Sequence, residues 1–222
     1  MEPTKTNKRL ALVTVVLAAI VLTAVLVVSY APQQAKILTP GEINEYQGQN
    51  LSSINDFREN SIKGPQYVNE TTYRLLITGL VNETLELSYD DIVNHYQNYK
   101  KVVTLNCVEG WSADVLWEGV LVKDLLEQAG INPEAKVVIF YAYDDYSTSL
   151  PLDFITDNNI LMAHKMNNVV LPLERGFPFQ LVAESKYGYK WIKWIVKIEL
   201  SDDVNYQGYW ESRGFSNDAT VP

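Results

Sequence analysis

The longest apolar run comes first. Residues 10–30 carry no charge and are broken only by Thr14, Thr23 and Ser29. At about 1.5 Å rise per residue this run makes roughly 32 Å of helix, enough to cross a hydrocarbon core. Lys5, Lys8 and Arg9 precede it, so the positive-inside rule puts residues 1–9 in the cytoplasm and the remainder outside the cell membrane. A cleaved signal peptide is the rival reading. The run exceeds an ordinary h-region of ~7–15 residues, and Pro32 directly after Ala31 is awkward for cleavage. The pattern therefore predicts a single-pass transmembrane anchor over residues 10–30.

Beyond the run the periods are those of a globular chain. Residues 31–59 are polar and weakly periodic and read as a spacer, with one domain expected over residues 60–222. Residues 73–78 resemble a strand closed by Gly79. Ser88, with Asp91 three positions on, predicts a capped helix to Gln97. Residues 101–106 are β-rich and end at Cys107. Leu121, Leu125 and Leu126 share one face of a helix expected over residues 120–129, with Gly130 as its stop. Residues 137–143 read as a buried strand, and Asn167-Asn168 between residues 161–166 and 169–171 as a hairpin. Further strands are expected at residues 179–182 and 191–200. The second of these alternates Ile192, Trp194, Val196, Ile198 and Leu200 inward against Lys193, Lys197 and Glu199. Strands interspersed with a few short helices predict an α+β fold.

Composition narrows the chemistry. The 222 residues include one cysteine and two histidines, His95 and His164, and the net charge is −9. One cysteine excludes an intrachain disulfide framework and cysteine-rich zinc sites. Without Lys5, Lys8, Arg9 and Glu2 the net becomes −11, which disfavours nucleic acid as a partner. Sequons at Asn50, Asn69 and Asn82 suit an exported domain but are individually weak signals.

Three stretches could carry chemistry. Thr104-Leu105-Asn106-Cys107-Val108-Glu109-Gly110-Trp111-Ser112 sets a thiol at a strand end, where scaffolds present reactive groups. Taken alone, an unpaired cysteine reads first as a small buried hydrophobe, and a nucleophile would need His95 or His164 as its base. Lys186-Tyr187-Gly188-Tyr189-Lys190 places two ammonium groups about a glycine, suited either to an anion or to a solvated turn. Arg175 sits on the loop Leu171-Pro172-Leu173-Glu174-Arg175-Gly176-Phe177-Pro178 before a core strand.

In order along the chain, Asn106-Cys107-Val108-Glu109-Gly110-Trp111-Ser112, Trp117-Glu118-Gly119-Val120, Tyr146-Ser147-Thr148-Ser149-Leu150-Pro151, Arg175-Gly176-Phe177-Pro178, Lys186-Tyr187-Gly188-Tyr189-Lys190 and Gly208-Tyr209-Trp210-Glu211 resemble the sulfite-oxidase superfamily of molybdopterin enzymes. The likeness extends over about residues 60–219 and is nearest to the exported methionine-sulfoxide-reductase catalytic branch. It implies a mixed-sheet, sulfite-oxidase-type molybdopterin-binding domain and a molybdenum-molybdopterin cofactor. By that resemblance Cys107 is the protein ligand to molybdenum and the catalytic residue. Gly188, Tyr189 and Lys190 then bind the pterin and its phosphate with Lys186 beside them, and Arg175, Asn60, Tyr146, Ser147 and Thr148 are further cofactor contacts. A soft thiolate suits such a metal. Gln180 stands where close relatives tend to have arginine, and Lys8-Arg9 replaces the twin arginines of the usual export signal.

The resemblance implies oxygen-atom transfer outside the cytoplasm, with a small-molecule oxygen donor or acceptor. In the absence of a haem-attachment motif, electrons are expected from a separate partner: a membrane cytochrome, a quinol or a soluble carrier. Sulfite sites need clustered arginines, so the acidic chain points to reduction of a neutral S-oxide or N-oxide, with sulfite oxidation as the alternative. A cofactor-free, membrane-tethered binding module is the reading from another class, and Gln180 is the feature that feeds it.

Overall fold

A computed structural model describes residues 38–222, which fall in one compact unit. The expected anchor over residues 10–30 lies outside the described residues. Among the described residues no helix is long and apolar enough to cross a membrane.

The strands are β1 (Glu45–Tyr46), β2 (Gln49–Asn50), β3 (Leu75–Gly79), β4 (Leu85–Leu87), β5 (Asn98–Asn106), β6 (Ser112–Leu121), β7 (Val137–Ala142), β8 (Ser147–Pro151), β9 (Leu161–Met166), β10 (Val169–Val170), β11 (Gln180–Val182) and β12 (Ile195–Ser201). The helices are α1 (Tyr89–His95), α2 (Val122–Ala129) and α3 (Leu152–Asp157). β1 and β2 form a small hairpin. One larger sheet runs β10-β9-β6-β5, with β11 also paired to β9, and the other runs β4-β3-β12-β7-β8. β12 lies parallel to β3, and the remaining pairings are antiparallel, so the second sheet is mixed. α2 packs against α3 and touches both β3 and β6. One apolar cluster, including Leu75, Ile77, Val115, Trp117, Leu125, Phe140 and Ile198, fills the space between the elements. Each of these fully buried side chains contributes about 1.5–3 kcal/mol relative to exposure. The architecture is α+β, rich in sheet.

Local chemistry explains the short elements. Ser88 caps α1 as expected: Asp91 N–H donates to Ser88 Oγ at 3.1 Å, and Ser88 N–H donates to Asp91 Oδ2 at 2.9 Å. The helix stops at His95, two residues before the expected Gln97. Gly130, at φ +73°, ends α2. Asn167 and Asn168 take φ of +45° and +71°, the double left-handed turn that joins β9 to β10.

Three expectations are corrected. The spacer of residues 31–59 is no spacer from residue 38 onward: Leu51, Ser53, Ile54 and Phe57 are buried, and the Glu42 carboxylate accepts from Ile54 N–H at 2.7 Å and Asn167 Nδ2 at 3.2 Å. The helix expected from residue 120 starts at Val122, because residues 112–121 form β6, held between β5 and β9. The strand expected over residues 191–200 begins only at Ile195. Trp194 takes φ +52° and the register slips between Ile195 and Lys197. Ile195 is therefore buried while Val196, expected inward, is half-buried; beyond the slip Ile198 and Leu200 are buried as expected.

Candidate active site

The β5–β6 hairpin closes on the pair Asn106↔Ser112, so residues 107–111 are its loop. Cys107 N–H donates to the Trp111 carbonyl at 2.9 Å, and Gly110 N–H donates to the Cys107 carbonyl at 3.1 Å. Gly110, at φ +86°, supplies the left-handed residue the turn requires. The loop is thereby tied down beside a cavity of about 360 Å³, lined by Leu105, Trp117, Met166 and Gln180 of the first sheet and otherwise by loop residues. That volume falls within the range of small-molecule sites.

Cys107 lines this cavity and is 7 % exposed. Its Sγ meets the Asn60 side-chain amide at 3.9 Å, and burial pushes its thiol pKa up. Neither histidine can serve as its base. His95 pairs with Asp91 on the surface, and His164 is buried with its Nε2 on Asn98 Oδ1 at 2.7 Å. Neither lines the cavity. A cysteine–histidine nucleophile is thus excluded, and what remains is a soft donor facing an open volume.

Of the residues expected to contact a cofactor, Asn60, Tyr146, Arg175, Gly188 and Tyr189 line the cavity with Cys107. The Lys186–Lys190 turn backs onto the thiol's loop, because Tyr187 bridges Asn106. A Cβ added to Gly188 would stand 3.4 Å from the Asn106 carbonyl oxygen and 3.8 Å from Cys107 Cα. The Tyr146 hydroxyl donates to the Tyr189 carbonyl at 2.5 Å. Burial, reinforced by Glu211, raises the Tyr146 pKa far above the usual phenol range and pushes Tyr189 up to about 12, so both rings stay neutral at physiological pH.

Four expected residues lie elsewhere. Lys190 is fully buried, and its ammonium donates to the Ser149 carbonyl at 2.9 Å, Glu211 Oε1 at 2.5 Å and Asn217 Oδ1 at 2.9 Å. An ammonium has three donors, so none is left for a phosphate. Thr148 gives its hydroxyl to the same Glu211 oxygen at 2.6 Å. Ser147 accepts from the Tyr206 hydroxyl at 2.9 Å. Lys186 donates to Asp218 Oδ1 at 2.9 Å and Thr220 Oγ1 at 2.8 Å, and lies 4.6 Å from the Phe154 ring centroid. These side chains fasten the C-terminal segment rather than line the cavity.

The cavity also holds residues that were not singled out as contacts, although Trp111, Trp117 and Trp210 stand within the quoted motifs. Trp111, Trp117, Trp191, Trp194 and Trp210 line it, with Phe57, Phe215, Ile62 and Val108; a count of five tryptophans was the available signal. Its cations are engaged. Arg175 donates to the carbonyls of Phe57 at 2.8 Å and Arg58 at 3.3 Å. Lys193 reaches Glu59 Oε1 at 2.6 Å, and Arg58 stands 3.9 Å from Glu109. Burial pushes the Glu59 carboxyl up, but Lys193 outweighs it and holds the carboxyl below its ordinary range. Gln180, at the head of β11, also lines the cavity.

The donor set fits a group that joins a soft metal to a polar organic body. A thiol faces the cavity, the Asn60 amide stands beside it, and Arg175 Nε is buried without a partner. A buried unpaired N–H costs about 1–3 kcal/mol, which a ligand acceptor would recover. Among the described residues no cluster of histidine, cysteine, aspartate or glutamate could hold a metal without help from a cofactor's own donors.

The chain matches the oxidoreductase molybdopterin binding domain over residues 62–210. It is 36% identical over 152 residues to the uncharacterized oxidoreductase YuiH of Bacillus subtilis (strain 168), covering 68% of this chain and 76% of that protein. It is 31% identical over 149 residues to YedZ1 of Azospira oryzae, designated a protein-methionine-sulfoxide reductase subunit, covering 67% of this chain and 56% of that one. A third relative is nitrate reductase [NADPH] of Fusarium oxysporum, 30% identical over 159 residues, of which the chain spans 18%. The sulfane dehydrogenase SoxCD of Paracoccus pantotrophus shares the fold, with a TM-score of 0.60 at 23% identity over 63% of this chain and 41% of that one. The chain belongs to the oxidoreductase molybdopterin-binding domain family of the sulfite oxidase superfamily, and is an oxidoreductase.

Proposed function

We propose that this protein is a membrane-anchored, extracytoplasmic reductase of neutral S-oxides or N-oxides, with Cys107 as the protein ligand to molybdenum. The observation that carries the reading is the Cys107 thiol at the cavity wall, without a base and with the Asn60 amide as its near polar neighbour. Molybdopterin, when bound, supplies a metal that exchanges an oxygen atom and two electrons with a substrate. Asn60, the Arg175 Nε–H and the backbone around Gly188 would hold its organic part. The buried thiol gives up its proton when it takes a metal, so loading of the site releases a proton and is favoured at higher pH.

The walls argue for a neutral substrate. Each cation lining the cavity already faces a carboxylate or a carbonyl, whereas a dianion would need several free ones. Indole and phenyl faces instead offer contact to an apolar substituent on the reacting sulfur or nitrogen. The balanced reaction consumes the oxide, two protons and two electrons and yields the sulfide or amine and water. The relative designated a reductase subunit supports a separate electron-transfer partner, a membrane cytochrome, a quinol or a soluble carrier. The uncharged run at residues 10–30 behind three basic residues supports the anchor.

The test is a turnover screen of the purified full chain with a reduced artificial electron carrier against S-oxides, N-oxides and nitrate, and with sulfite in the oxidising direction. Turnover of sulfoxides or amine oxides with no sulfite oxidation is expected. Sulfite oxidation alone would overturn the reductase reading. Extraction of membranes at high pH should leave the chain in the pellet; release into the supernatant would overturn the anchor.

A further inference from the structure

Residues 57–63 cross one side of the cavity with no regular secondary structure, and they carry Phe57, Arg58, Asn60, Ser61 and Ile62 onto its lining. Most of this stretch precedes the span matched by the family. At one end it leaves the short helical turn Ile54–Asp56, fixed by a Ser53–Asp56 capping box. At the other it reaches Gly64, at φ +77° in open space. Between these ends it is held from below by two cations of the opposite wall. Arg175 takes the carbonyls of Phe57 and Arg58, with its guanidinium 5.2 Å from the Phe57 ring centroid. Lys193, whose side chain is 16 % exposed, pairs with Glu59 at 27 %.

Magnitudes decide which ties matter. Lys63–Asp145 and Arg58–Glu109 are solvent-exposed on both sides, and such pairs add little. The Arg175 and Lys193 ties are sheltered, and charge-assisted bonds of that kind are the stronger class. The stretch also brings the Asn60 amide to 3.9 Å from Cys107 Sγ, so it covers the thiol that the cofactor reading makes a ligand.

We propose that Arg175 and Lys193 are positioning residues that clamp residues 57–63 as a strap over Cys107, and that release of this strap admits the molybdopterin group to the thiol. The second half rests on the cofactor reading above; the clamp itself does not. Because Cys107 is the chain's one cysteine, alkylation reads strap opening directly, without turnover.

The experiment measures the iodoacetamide alkylation rate of the cofactor-free full chain by mass spectrometry, alongside its thermal melting. E59Q and K193M should alkylate about threefold faster than wild type with melting little changed, and K193R should return towards the wild-type rate. K197M, which breaks the Lys197–Glu199 pair on β12, serves as the control and should leave the rate unaltered. Wild-type rates in both E59Q and K193M, or an equal rise in K197M, would overturn the clamp. Chain expressed with the cofactor should carry molybdenum and resist alkylation, and cofactor-free K193M should take up molybdopterin and molybdenum faster than cofactor-free wild type. Equal loading rates in the two would overturn the entry role. Wild type carrying no molybdenum would instead overturn the cofactor reading, leaving the clamp to the alkylation rates.

Discussion

Two basic regions of this molecule look alike in the sequence and differ in kind once folded. Lys186 and Lys190 flank a glycine turn, while Arg175 and Lys193 stand on the loops before β11 and β12. Lys190 is sealed in the protein with its three donors spent on Ser149, Glu211 and Asn217. Arg175 and Lys193 line the cavity, and Arg175 keeps one buried N–H without an acceptor. The difference teaches that the acceptors a cation meets in the fold decide whether it is sealed in the core or stands at the cavity. Local basicity does not.

The sharpest way to break the comparison is at the sealed pair. Lys190 and Glu211 are both fully buried at 2.5 Å. K190M leaves Glu211 uncompensated and should cost about 3–5 kcal/mol in urea unfolding, with or without cofactor. A variant that keeps its stability and loses only cofactor would put Lys190 back among the ligand contacts.

A buried neutral group extends the contrast to pH. Burial, aided by Lys165, lowers His164 to about 4 from an unfolded value of about 6.5. Between these values the unfolded chain binds the additional proton, so stability rises with pH in that window and is lost as pH falls through it. The loss should approach about 3 kcal/mol by pH 4. H164Q, which cannot titrate, should flatten this part of the pH–stability curve; an unchanged slope would contradict the assignment.

On the cavity side the effects are smaller. K193M should lower stability by less than about 1 kcal/mol, and K63M, at a pair exposed on both sides, should leave the unfolding midpoint where it is in wild type. A cost at Lys193 as large as that at Lys190 would erase the distinction between the two regions.

How much was legible follows the range of the interactions. The Ser88–Asp91 cap, the Asn167-Asn168 turn and the strand over residues 101–106 were readable because their partners are near in the chain, three residues for the cap, three to five for the turn and six to sixteen for the strand. β6 was missed because Asp114 and Glu118 interrupt its apolar pattern; what makes it a strand is pairing on both edges. Residues 38–59 read as polar spacer because their polar groups find partners far along the chain, as Glu42 does at Asn167 and Glu59 at Lys193. Lys190 read as a phosphate contact for the same reason, since Glu211 and Asn217 lie in the C-terminal segment. In the site, the thiol and the glycine turn were legible from their motifs. Trp111, Trp117 and Trp210 stood in the quoted motifs and Asn60 was expected at the site, but the convergence of five indoles on one cavity and the ties of residues 57–63 to Arg175 and Lys193 were not legible, because tertiary structure alone brings them together.

The central claim is that Cys107 binds the metal, and its most direct test is the molybdenum content of purified full chain and of C107S, measured by plasma mass spectrometry. The account predicts close to one molybdenum per wild-type chain, lost together with turnover in C107S while the fold persists. A C107S chain that keeps both molybdenum and turnover would contradict it.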